Sequence, residues 1–288
     1  MITKNLSEKG FSEVARTIDD TCIKSAAEKI RKVMSIVPKG ENKSLYKLAK
    51  ESAEEFLNCK RHDGKQDMIL LDSILSIGRR YKLVVKWVSY YDKYAKVRGF
   101  DHSLETLAKL DINDYENFLQ SIGVSGIPNI SRVESTIEFA KSFLQKYPRF
   151  LDRKSYGLFR WIKETEGWTQ FLREYSERNE FCRAFTEFML KEYNRSLPKE
   201  RTLIGLSLFQ YLRMQCGEDT LKPDRRVTTI LKKLLNSSGF NETDCILVAS
   251  KIAKELGIRL IELDQIFVSE DYLDCKQKFE MLLRITER

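Results

Sequence analysis

A chain of 288 residues can bury one large core or two modest ones. With 42% hydrophobic and 32% charged residues it has the balance of a globular protein, which excludes a disordered chain. The 50 Lys and Arg residues outnumber the 42 Asp and Glu, and the net charge of +8 either favours a polyanionic partner or merely keeps a basic protein soluble.

Helical periodicity dominates and strand alternation is nearly absent, so the sequence predicts an all-α protein. Leu45, Leu48, Ala49, Ala53, Phe56 and Leu57 mark one helix. The polar stretch Cys59–Gln66 (CKRHDGKQ) reads as a linker. From Met68 the pattern turns strongly apolar through Ile69, Leu70, Leu71, Ile74 and Leu75, and the next helix carries Leu83, Val84, Trp87, Val88 and Tyr91. Ser103 opens a short helix with Leu104, Leu107 and Ala108. Asp111 opens another with Tyr115, Phe118 and Leu119, closed by Gly123. After the loop GVSGIPN, Ser131 and Glu134 have the spacing of a capping box before Val133, Ile137, Ala140, Phe143 and Leu144.

The stretch 148–197 is rich in aromatic residues, which at helical spacing serve either as core or as stacking surfaces. Pro198 precedes a very apolar helix containing Leu203, Ile204, Leu206, Leu208, Phe209 and Leu212, which ends at Cys216–Asp219. Behind Lys222–Pro223–Asp224 a helix sets Val227, Ile230, Leu231, Leu234 and Leu235 on one face. Asn241 caps a helix that stops at Gly257, and a last helix lies around Cys275 to Leu283. No internal repeat is present.

Six cysteines, at 22, 59, 182, 216, 245 and 275, form no C-x-x-C pair and no iron–sulfur or zinc spacing. They read as reduced thiols. With only His62 and His102 available, a multi-histidine metal site is not expected, and no cofactor or metal is assigned. The opening MITKNLSEKGF lacks the apolar core of a signal peptide and no stretch reaches the length of a membrane span. The expected setting is the cytoplasm, and the expected state a monomer.

The unit with chemical content runs from Leu197 to Leu235. Asp224 follows a proline and precedes Arg225–Arg226–Val227, which places a carboxylate at a helix start. The helix N–H groups, the helix dipole and both arginines favour its ionised form. A fixed negative charge can stabilise a cationic sugar or help activate a nucleophile. A plain helix cap is the bland alternative.

Residues 68–264 resemble the helix-hairpin-helix–GPD superfamily of base-excision DNA glycosylases. The resemblance is carried, in order, by Leu70–Ser76, by Ser103–Asp111 and Tyr115–Gly123 as a pair of short helices, and by Ser131–Leu144. It continues through Leu197–Pro198 at the hairpin, Lys222–Val227 around the family's catalytic Asp, and Gly257–Asp264 as the closing segment. It implies two helical lobes with a cleft, a hairpin that grips phosphates, and a target base flipped out of duplex DNA. In that frame residues 1–62 are an N-terminal helical extension, and 63–288 form the glycosylase-like domain with a helical insertion near 148–197.

The resemblance assigns catalysis to Asp224 and contacts to double-stranded DNA to Arg79, Arg80, Lys199, Arg201, Arg225 and Arg226. Arg79 and Arg80 follow Gly78 where the family inserts a wedge. They read as a wedge, as phosphate contacts or as a solvated helix end. Lys199–Glu200–Arg201 stand where the family hairpin reads G-x-G, so side chains would replace backbone amides there. No lysine occurs in Leu203–Ser207, where bifunctional members carry a nucleophile, and a monofunctional, water-consuming mechanism follows. Tyr156, Trp161 and Trp168 are the base-pocket candidates. Oxidised purines, alkylated bases and enzymatically modified bases, including those of phage DNA, all remain open as substrates. A helical DNA-binding module without catalysis and a protein-interaction scaffold are the competing readings.

Overall fold

The computed structural model of the chain describes residue 15 and residues 17–38, 40–58, 60–63, 65–76, 81–124, 130–146, 206–215, 217–237 and 239–268. Among them every regular element is a helix, and no strand occurs. In chain order these are α1 Asp20–Met34, α2 Leu45–Leu57, α3 Gln66–Leu75, α4 Tyr81–Arg98, α5 Leu104–Ala108, α6 Ile112–Ser121, α7 Ile130–Lys146, α8 Leu206–Gln215, α9 Arg225–Leu234, α10 Glu242–Leu256 and α11 Leu260–Phe267. The aromatic stretch 148–197 and the helix expected near 275–283 lie outside the described residues.

The helix ends follow local chemistry. Ser103, Asp111 and Asn241 each cap a helix through the side chain, and Asn241 completes a capping box with Asp244. Gly257 closes α10 in the left-handed conformation, φ 71°, which a side chain at that position would strain. Ser131 lies inside α7, which begins at Ile130, so it does not cap that helix. Two helices stand where the sequence reading places none. α1 is capped by Asp19 and buries Ile23, Ala26, Ala27, Ile30 and Val33; α11 lies within the segment read as a closing motif.

The described residues divide into two compact units. One contains α1, α2, α9, α10, α11 and most of α8. Here α10 packs on α1, α11 on α2, and α9 on both α10 and α11. Phe56, Ala53, Tyr211, Met214 and Ile261 share an apolar cluster, with Phe56 and Tyr211 edge to face at 6.2 Å. α1 and α2, which fall in the stretch 1–62 read from the sequence as an extension, are therefore part of the same core as α10 and α11.

The other unit contains α3 to α7. α3 is buried on every side and packs on α4, α5 and α7. It carries two carboxylates into the interior. Asp67 accepts from the Tyr91 hydroxyl at 2.7 Å and pairs with His102 Nδ1 at 3.0 Å, and Asp72 pairs with His62 Nε2 at 2.7 Å. Burial, with the Asp67 charge beside it, pushes the Tyr91 phenol well above its ordinary range. His62 is thus packed onto α3, and the division between the two units, at Lys60–Arg61, falls within the segment that reads as a linker. On α4, Leu83 is 47% exposed while Val84, Trp87, Val88 and Tyr91 face inward, so Leu83 does not belong to the core face.

Candidate functional site

The connector from α8 to α9 is held by side chains at several points. Gln210 Oε1, fully buried on α8, accepts from the Thr220 hydroxyl at 2.5 Å. Asp219 Oδ1 accepts from the Ile261 N–H at 3.0 Å at the start of α11. In return Asp264, on α11, accepts from the Lys222 N–H at 2.9 Å. These two bonds clasp the connector to α11 from both directions. The Lys222 ammonium lies 4.2 Å from the centre of the Tyr211 ring, a cation–π contact. Pro223 is buried and supplies no N–H that would need a partner.

Asp224 emerges from this clasp as the N-cap of α9, with φ −77° and ψ 177°. Its Oδ1 accepts from the Arg226 N–H at 2.9 Å and the Val227 N–H at 3.1 Å. Its Oδ2 lies 3.6 Å from Arg226 Nη2, and the side chain is 21% exposed. The carboxylate is thus fixed by the helix through one oxygen, with the other set toward an arginine. α9 itself is held down by Val227, Ile230, Leu231 and Leu234 against α10 and α11. The helix terminus places a partial positive charge at the same point.

Two further carboxyls share this end of α9. Asp264, only 2% exposed, is pushed up to about 7, first by burial. The Lys222 N–H opposes that shift, the Asp224 charge adds to it, and the Lys222 and Arg226 charges oppose it. Glu242, in the first turn of α10, is also raised, by desolvation first and by Asp224 second. Among the described residues no group of three His, Cys, Asp or Glu side chains is arranged to hold a metal ion.

Of the residues assigned from the sequence, the structure describes Asp224, Arg225 and Arg226 and gathers them in one turn. Arg225 is exposed and Arg226 partly so. Arg79, Arg80, Lys199, Arg201, Tyr156, Trp161 and Trp168 lie outside the described residues. Sequence reasoning did not assign Asp219, Glu242 or Asp264 to the site. A signal existed for Asp264, since a carboxylate inside the apolar run LIELDQIF is a buried acid that needs a partner.

Among the described residues no helix is long and apolar enough to cross a membrane. Comparison with protein-family models, with curated proteins and with solved structures finds no match to this chain.

Proposed function

We propose that this chain is a monofunctional DNA N-glycosylase of the helix-hairpin-helix type, acting on a flipped base in duplex DNA with Asp224 as its central carboxylate. The observation that carries the proposal is the way Asp224 is held. It is anchored by two helix N–H groups, clasped from behind through Lys222, and still partly open to solvent. A carboxylate serving only as a cap needs the first of these features alone.

The chemistry follows from that placement. As the C1′–N bond lengthens, its electron pair leaves with the base, which takes up a proton, and positive charge develops on the sugar. The Asp224 carboxylate stabilises that charge. Water then adds at C1′ and releases a proton, leaving a free base and an abasic site. Arg225 and Arg226, in the first turn of the helix that Asp224 caps, are the side chains that would grip the phosphates flanking the flipped nucleotide. The absence of a lysine in Leu203–Ser207 supports water as the nucleophile.

Asp224→Asn is the direct test, because asparagine caps a helix as well as aspartate does. The variant should keep its fold and its DNA binding and lose excision by on the order of 100-fold or more. Unchanged excision would remove Asp224 from the chemistry. DNA binding by the wild type without excision of any base would return the chain to a helical DNA-binding module.

A further inference from the structure

The charge on α4 is segregated. The helix carries Lys82, Lys86, Lys93, Lys96 and Arg98 against a single acid, Asp92. Lys82, Lys86, Ser89, Lys93 and Lys96 follow one another at helical spacings of four, three, four and three, so they lie along one stripe, and all five are exposed. Asp92 is set back from the stripe, 18% exposed, and already engaged by Lys65 at 3.0 Å and by Lys96 at 2.5 Å. Among the described residues Lys86 and Lys93 have no carboxylate partner. Their ammonium groups instead flank the Tyr90 ring, at 5.7 and 6.0 Å from its centre. Trp87 meets the same ring edge to face at 5.7 Å and holds it in place.

An ordinary solvated helix face mixes both signs. The exposed face of α1 does so, with Asp20 and Glu28 among Lys24, Arg31 and Lys32. The α4 stripe has one sign only, keeps an aromatic ring at its centre, and from Lys82 to Lys93 spans about 16 Å at the helical rise of ~1.5 Å per residue. That length covers roughly five phosphates of one DNA strand at ~3.4 Å per charge along the axis. A membrane surface is a poorer match. The apolar face of α4, with Val84, Trp87, Val88, Tyr91, Tyr94 and Ala95, is already buried, and the exposed Leu83, Val85 and Val97 are scattered along the helix. No free apolar face is left to insert between lipids.

We propose that the lysine stripe of α4 is a second contact surface for the sugar–phosphate backbone of duplex DNA, separate from the residues around Asp224 and resting on the reading of this chain as a DNA-binding protein. The contact is electrostatic and independent of base sequence. It adds affinity and salt dependence, and it carries no selectivity for the excised base.

The test is the salt dependence of binding to an unmodified duplex, measured with the full-length protein. K82Q/K86Q/K93Q should bind more weakly, and the slope of log affinity against log salt should become shallower by roughly two to three units, at ~0.9 per lost phosphate contact. K82R/K86R/K93R should keep the wild-type slope. K24Q/K29Q/K32Q on α1 removes the same net charge and should leave the slope unchanged. A slope equally shallow in the α1 variant would show that net charge alone matters and would overturn the proposal. So would a slope unaltered in the α4 variant, or binding of acidic-lipid vesicles in place of DNA. Because the readout is binding, excision that depends on Asp224 can stand while the α4 surface fails. Absence of duplex binding at low salt would sink both.

Discussion

At the scale of single residues, the position of Asp224 is determined by a neighbour 42 positions away from Lys222 in the chain. Asp264 holds the Lys222 N–H, and Asp224 N–H in turn donates to the Lys222 carbonyl at 2.7 Å. Folding keeps a proton on Asp264 between its ordinary value of 3.8 and about 7, whereas the unfolded chain releases it. The native state therefore binds more protons in that window, and stability falls as pH rises through it, at about 1.4 kcal/mol per unit. Asp264→Asn still accepts from Lys222 but does not titrate. Relative to the wild type, the variant should gain stability between about pH 5 and about pH 8, read from urea midpoints at the two pH values. A difference that stays flat with pH would refute this account of the buried carboxyl. Nothing in local sequence links positions 222 and 264. The presence of an acid in an apolar run was legible, and its partner was not.

At the scale of elements, most helices from Leu45 onward were legible because their apolar residues recur at helical spacing between recognisable caps. α1 carries the same signal, with Ile23, Ala26, Ala27, Ile30 and Val33 recurring at helical spacing behind the Asp19 cap, although the sequence reading places no helix there. α11 was not legible, because a run of eight residues, LIELDQIF, buried nearly all round, has no period to detect. The burial of α3 raises a different requirement, since it takes Asp67 and Asp72 out of water. His62, in a segment whose composition suggested a linker, supplies a partner for Asp72 beside Arg61. Removing it breaks that hydrogen bond but leaves Arg61 Nε 3.9 Å from the same carboxylate, so His62→Ala should cost about 2 kcal/mol of unfolding free energy. A loss below about 0.5 kcal/mol would mean that the pair contributes little and that the segment behaves as solvated chain.

At the scale of the whole molecule, the chain builds its first unit from both ends of the described sequence, with α1 and α2 packed on α10 and α11. Periodicity marks which face of a helix is buried but not which distant helix covers it, so these pairings were beyond sequence reading. The fully buried Ile30 of α1 tests the arrangement. Ile30→Ala should destabilise the unit that holds Asp224 by about 3 kcal/mol, whereas a detached extension would tolerate it. The positive charge of the chain belongs to this scale too, and the lysine stripe of α4, the proposed second DNA contact, lies well apart in sequence from Asp224.

The central claim is that Asp224 serves base excision, and the most direct measurement is strand breakage of duplexes carrying oxidised purines, alkylated bases or enzymatically modified bases after incubation with the wild-type protein. Breaks should form on one substrate class only on alkaline treatment, as abasic sites require, and should disappear with Asp224→Asn. Intact strands on every substrate after alkali, or breaks that persist at the wild-type rate in Asp224→Asn, would contradict it.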